Sequence, residues 1–426
     1  MPTKREVKRA VKAVEKKLVP RKGLFRSKFV SQQEFEYALI VLIDANTPET
    51  RDVIDRAFAV NTAITETIVG HELSGEVLES FIYKVCESRS KHVGYVLGTI
   101  FDQHGVEHMN VDNVLGKLSA NHTENTDHAI ELLMVKGGIE RASNLALTDT
   151  IFKVSTSPLG SKGRYRTHIF TPEVVQKLRP IEVQDLLHKL ANSKAQGAYA
   201  AIKQAFRNGA IQKFSQGTEA LENIIYKSAI SRHREGHLAA EHAFHYGAVE
   251  IFPQSQLNSL LLKMVSDGQY STIGVVAVSL RHGVVDKLSD DQINVLLTRL
   301  LETKKSSAYK AVANAFRHGA IDKLSSEQID EFMRVLATSR NIEAFTALEE
   351  AIKNGAVDKI SDGVLSILPV TLSAAGLPSA DSALRALLAH GGTERLERVN
   401  VPPSAGTSPK EQGPRLPGFG LSGYSS

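Results

Sequence analysis

Cysteine and tryptophan are almost missing from this chain: its 426 residues hold one cysteine, Cys86, and no tryptophan. A single cysteine excludes an intrachain disulfide framework and any cysteine-built metal cage within one chain, and it fits a reducing compartment. No run approaches the roughly 18 consecutive apolar residues of a membrane-spanning helix. The basic N-terminus is not followed by the roughly 7 to 15 apolar residues that a secretory signal needs. These absences predict a soluble, intracellular, cytoplasmic protein; delivery into a host cell or a nucleus is compatible with the chain and required by nothing in it. The sequon Asn121-His122-Thr123 carries meaning only in a secreted chain and is set aside. Also missing are a nucleophile elbow, paired catalytic carboxylates and a glycine-rich phosphate cradle. No catalytic residue and no cofactor is therefore assigned, and the chain reads as a non-enzyme.

What is present is enough apolar residue, 42%, to exclude wholesale disorder. The formal charge of +4 conceals an asymmetry: residues 1–30 carry eleven Lys or Arg against two Glu, leaving 40 basic and 45 acidic residues in the remainder. A basic arm thus precedes a mildly acidic body, and the overall charge is no argument that the body binds nucleic acid.

A phrase recurs in that body: Gly209-Ala-Ile-Gln-Lys-Phe-Ser215, Gly283-Val-Val-Asp-Lys-Leu-Ser289, Gly319-Ala-Ile-Asp-Lys-Leu-Ser325 and Gly355-Ala-Val-Asp-Lys-Ile-Ser361, with Gly247-Ala-Val-Glu-Ile-Phe-Pro253 between the first two. From Gly247 to Gly391 the step is 36 residues each time, the mark of stacked supersecondary repeats. Ser289-Asp-Asp-Gln292 and Ser325-Ser-Glu-Gln328 are capping boxes that open a first helix. In that helix Ile329, Phe332, Met333 and Leu336 form an apolar stripe of 3.6-residue period. A second helix runs into the next glycine, with small residues eight and four positions before it (Ala201 and Ala205, Ala311 and Ala315, Ala347 and Ala351) and larger apolar ones seven and three before. Small residues one turn apart let helices approach, and the glycine suits a left-handed residue that ends the helix.

Projected along the chain, repeats begin near 30, 73, 109, 142, 178, 214, 252, 288, 324 and 360. Gly105, Gly137, Gly209, Gly247, Gly283, Gly319, Gly355 and Gly391 occupy cap slots, and Asn61 takes one more. The prediction is an all-α fold, an α-solenoid of about ten two-helix repeats of about 36 residues. Its expected organisation is a basic helical arm over 1–29, a solenoid over 30–395 with a possible seam at 155–172, and a Pro/Gly/Ser-rich disordered tail over 396–426. In repeat length and logic this resembles the broad HEAT and armadillo class of helical repeats. The resemblance is one of class, with no motif that carries individual residues over, and it implies a protein that binds a partner along its surface.

Functional candidates lie where a repeat departs from its own rule. The repeat at 142 lacks a second helix and carries instead a loop with Lys162, Arg164, Tyr165, Arg166 and His168, a candidate for phosphate or an acidic peptide. Two positions before successive caps stand Arg207, His245, Arg281, Arg317 and Lys353, which stacking would align as a basic ridge unless Asp286, Asp322 and Asp358 neutralise it. His237, Glu241 and His245 share a helical face, a weak metal candidate whose order is not His-Glu-x-x-His. In the repeat at 252, Val275, Ala277 and Val278 belong to an apolar run that is either covered or exposed as a partner patch. The arm, with Val7, Val11, Val14 and Leu18 on one face, could cap the solenoid, lie on an anionic surface or touch nucleic acid. The expected function is a protein-binding scaffold, with nucleic-acid binding through the arm, the 162–168 loop and the ridge as the alternative.

Overall fold

The computed structural model describes residues 2–18, isolated positions between 37 and 109, and 110–400 apart from 122–123, 158–168 and 216. The repeat starts projected at 30 and 73, Asn61, Gly105, the 162–168 loop and the tail beyond Asn400 lie outside the described residues.

The N-terminal helix α1 spans Lys4–Leu18. It opens on a capping box: the Thr3 amide donates to Glu6 Oε2 at 2.7 Å and the Glu6 amide to Thr3 Oγ1 at 3.3 Å. Two-helix repeats follow. The repeat at 109 holds α2 (Val111–Ala120) and α3 (Glu124–Leu133), and that at 142 holds α4 (Asn144–Thr156), followed by the short α5 (Pro172–Lys177). Then come α6 (Pro180–Ser193) with α7 (Gln196–Arg207), α8 (Thr218–Ala229) with α9 (Arg234–His245), α10 (Gln254–Asp267) with α11 (Tyr270–Ser279), and α12 (Asp290–Glu302) with α13 (Ser306–Arg317). A second compact body, Leu324–Ser426, holds α14 (Ser326–Thr338) with α15 (Ile342–Lys353), α16 (Asp362–Ala375) with α17 (Pro378–Leu387), and a closing helix, α18 (Thr393–Asn400).

Within each body, first helices pack on first helices and second on second, so the core is the seam between two helical layers. The architecture is an all-α helical-repeat fold, an α-solenoid. Its local causes are those in the sequence. Ser289 and Ser325 both accept from the amide three residues on, and Gln292 and Gln328 return the bond to the cap amide. Ile329, Phe332, Met333 and Leu336 are buried, as are Ala201, Ala205, Ala311 and Ala315, whose small size brings α7 and α13 against their neighbours. Each fully buried Phe in the third slot before a cap (Phe206, Phe244, Phe316) contributes roughly 1.5–3 kcal/mol by leaving water. Gly137, Gly209, Gly247, Gly283, Gly319, Gly355 and Gly391 all sit at φ between 87 and 101°, where only glycine is at ease.

The phrase lysine, four places after the cap, has a role that its repetition signalled and its chemistry explains. Lys177 Nζ donates to the carbonyls of Ile139 (2.6 Å) and Glu140 (2.8 Å). Lys213 reaches that of Leu178 (3.2 Å), Lys287 that of Glu250 (2.9 Å) and Lys323 that of Leu288 (2.6 Å). In the second body Arg395 does the same to Val357 and Ile360. In these five repeats a cation thus satisfies orphan carbonyls that end the short helix of the repeat before it, whereas Ile251 takes the slot after Gly247.

Candidate binding strip along the second helices

In the first body the slot two before the cap is exposed on each successive second helix: Arg207 ends α7, His245 ends α9, Arg281 follows α11 in a wide turn, and Arg317 ends α13. The reason is helical. The small residue four before the cap (Ala205, Ala243, Ser279, Ala315) and the large apolar residue three before it face the core, so the residue one step further round points to solvent. Among the described residues neither Arg207 nor Arg281 has a carboxylate within ion-pair range, and Asp286, close in sequence to Arg281, is itself exposed and unpaired. Lys353, in the second body, is instead held by Glu349 one turn back, Nζ to Oε1 at 2.5 Å.

Imidazole and phenol rings fill the space between these cations. The His245 ring meets His282 edge-on with centroids 4.9 Å apart and Tyr246 edge-on at 4.7 Å, while His242 lies 5.6 Å from Tyr246 and 6.5 Å from His245. Beneath them Lys203 of α7 pairs with Glu235 of α9 at 2.5 Å, both partly buried. Burial holds His242 below the ordinary imidazole range, reinforced by the charges of Lys203, His245 and Arg207 and opposed by Glu235. Burial also lowers His282, with His245, Arg281 and His318 adding to the effect. Glu241 is pushed up by burial, and the Arg281 guanidinium works against that shift. The strip therefore collects positive and protonatable groups from four consecutive repeats, with Glu235 and Glu241 as its acidic members.

Two expectations are corrected here. His237, Glu241 and His245 do not form a metal site: His237 Nε2 lies 2.6 Å from the Ser231 carbonyl. Among the described residues no group of three or more His, Cys, Asp or Glu is placed to hold a metal. Nor do Val275, Ala277 and Val278 form an exposed patch. Val275 is 0% and Ala277 8% exposed, and Val278 is half-buried, because α11 is flanked by both α9 and α13. From α13 the Asn314 amide donates to the Ala277 carbonyl at 2.7 Å, a bond buried from water.

Some groups were not legible in advance. With no second helix described for the repeat at 142, α7 packs on α4. Phe170, 1% exposed, lies at that junction, its carbonyl taken by the Asn208 side chain. A buried aromatic after a polar loop was the available sign. In α1, Val14 is 0% and Ala10 5% exposed, whereas Lys4, Arg5, Lys8, Arg9 and Lys12 face solvent. No described helix is long and apolar enough to cross a membrane.

Fold and strip together define a helical-repeat protein with a cationic, imidazole-rich stripe on its second-helix layer. No family model matches the sequence, and no curated protein is similar to it. Among solved structures the chain is similar to PUF-8 in complex with PBE-RNA, at a TM-score of 0.42 and 13% identity, with 81% of this chain and 99% of that chain covered.

Proposed function

We propose that the protein is a non-catalytic binding scaffold that grips a protein partner through its second-helix layer. The observation that carries this reading is the row of exposed side chains at one slot on four successive repeats, Arg207, His245, Arg281 and Arg317, of which Arg207 and Arg281 have no carboxylate within ion-pair range among the described residues. Stacked repeats present such rows as extended recognition surfaces. The body beyond residue 30 carries 40 basic against 45 acidic residues, a balance that disfavours the phosphate backbone of a nucleic acid. In the same reading residues 30–395 form the solenoid in an intracellular setting, and α1 is its N-terminal cap, with Ala10 and Val14 facing inward.

The test is capture of the tagged full chain from the cell that makes it, with and without nuclease. Protein partners that remain after nuclease are the expected outcome. Loss of every partner on nuclease treatment, together with tight binding of RNA or DNA by the purified chain, would overturn the proposal.

The exposed cations of α1 favour a second reading, nucleic-acid binding through the arm. It requires an affinity that falls steeply with salt, as released counterions dictate, and that disappears when Lys4, Lys8 and Lys12 are changed to Glu.

A further inference from the structure

We propose that the strip from Arg207 through His245 and Arg281 to His318 is the docking surface of the scaffold, and that its partner is an extended protein segment bearing a carboxylate at about every third residue, bound more tightly as imidazoles take up protons. This inference rests on the scaffold reading above. Three features of the strip lead to it.

The first is spacing. Packed neighbouring helices lie about 8–10 Å apart, and a peptide in the extended polyproline II conformation has about three residues per turn with about 3.1 Å rise each, so its every third side chain lies on one face about 9 Å from the last and meets the next repeat's cation. The second is charge. Arg207 and Arg281 are exposed and, among the described residues, have no carboxylate within ion-pair range, whereas Glu235 is already occupied by Lys203 and Glu241 lies under the field of Arg281. A phosphodiester backbone carries a charge at every nucleotide and would meet both glutamates as well as the arginines. A peptide with neutral residues between its carboxylates passes them without that repulsion.

The third is the ring cluster. His242 faces Lys203 and Arg207 from α7, and Glu235 and His245 from its own helix; His282 faces His245 from α9, Arg281 beside it, and His318 at the end of α13. With no partner bound, burial and these like charges hold both rings below the ordinary imidazole range. A bound carboxylate reverses the local field, so binding takes up protons, and by linkage affinity rises as pH falls.

The experiment measures fluorescence anisotropy of labelled peptides with the full chain at about 0.15 M salt and at about pH 7.5 and 5.5, a range that brackets imidazole titration. The probe is a repeating Glu-Gly-Ser peptide of about twelve residues, long enough to cross four repeats at about 3.1 Å per residue. A repeating Gln-Gly-Ser peptide and single-stranded RNA of similar length serve as controls. The expected result is binding of the Glu peptide over the Gln peptide at both pH values. It should tighten roughly tenfold at the lower one, since each exposed charge gained is worth about a two- to fivefold factor. His242→Gln with His282→Gln should flatten the pH dependence, bringing the affinities at the two pH values within about twofold of each other. Arg207→Glu with Arg281→Glu, at solvent-exposed positions that leave folding intact, should remove binding at both.

Equal binding of the Gln peptide, or indifference to the arginine reversal, would overturn the proposal. A flat pH profile in the native chain would overturn the part assigned to the histidines. RNA bound more tightly than the Glu peptide through the same arginines would replace the protein segment by a nucleic acid. If nuclease-resistant capture of protein partners survives the arginine reversal, the scaffold reading stands and only this surface falls.

Discussion

Replacing Gly319 isolates the backbone requirement of the repeat from every steric one. Its φ is +92°, yet a Cβ added there would meet no atom within 4 Å, so any cost is conformational. The flanking bonds leave little room to relax: the His318 amide donates to Asn314 and Ala315, that of Gly319 to Phe316, and that of Asp322 back to Gly319. A non-glycine residue in the left-handed region costs about 1–2 kcal/mol. A φ well beyond the usual left-handed value near +57° argues for the upper end. Alanine also restricts the unfolded chain, which returns about 0.4–1 kcal/mol. Gly319→Ala should therefore destabilise by roughly 1 kcal/mol, and Gly319→Val by more, since a β-branched side chain tolerates this region least. Gly319→Asn should fall between glycine and alanine, because asparagine accepts left-handed conformations. The assay is urea denaturation followed by circular dichroism, with hydrogen exchange of the α13 amides to register local opening in a stacked-repeat protein. Gly138→Ala is the contrasting control: its φ is an ordinary helical −64°, but its Cβ would lie 2.5 Å from the Leu133 carbonyl oxygen, so asparagine should not rescue it. Native-like urea midpoints for Gly319→Ala and Gly319→Val, or an asparagine variant weaker than alanine, would refute the reasoning.

Lys177→Met removes the cation from two carbonyls of the preceding repeat and should cost about 1 kcal/mol, read as a lower urea midpoint with unchanged slope. Asn314→Ala removes a buried side-chain donor from the Ala277 carbonyl and should cost about 1–3 kcal/mol; a melting temperature equal to that of the native chain would show that the bond contributes nothing. His242 and His282 have folded pKa values below the ordinary imidazole value, so the unfolded chain binds more protons there. The stability they contribute is complete above about pH 6.5 and declines as pH falls through their lowered values. Glu241 acts oppositely: the stability from its raised pKa is complete below about pH 4.5 and is lost as pH rises through the raised value. Thermal unfolding should therefore begin earlier at about pH 5.5 than at 7.5, and the difference should shrink in the His242→Gln, His282→Gln variant. Truncation after Asn400, the last residue of α18, should leave the melting temperature unchanged, and a loss of cooperativity would count against that expectation.

The sequence by itself determined the helical-repeat class, the 36-residue step, the Ser-x-x-Gln openings and the glycine closings. Each of these is local: a capping box, a left-handed residue and an apolar stripe are complete within one turn or one helix, so their causes lie on adjacent residues. The row of Arg207, His245, Arg281 and Arg317 was legible for the same reason, as a slot counted from a glycine. Only the tertiary structure decided what depends on a neighbour one repeat away. It buried Val275 and Ala277 by setting α13 and Asn314 over α11, and it took His237 from the metal candidate by giving its ring to the Ser231 carbonyl. It left Arg281 without a carboxylate in ion-pair range among the described residues although Asp286 stands close in sequence, brought His282 against His245 across two helices, and set the phrase lysines on the carbonyls of the preceding repeat. A repeat's period says which residues share a face, but what that face meets is fixed by side chains some 36 positions away, through packing that a single helix cannot encode.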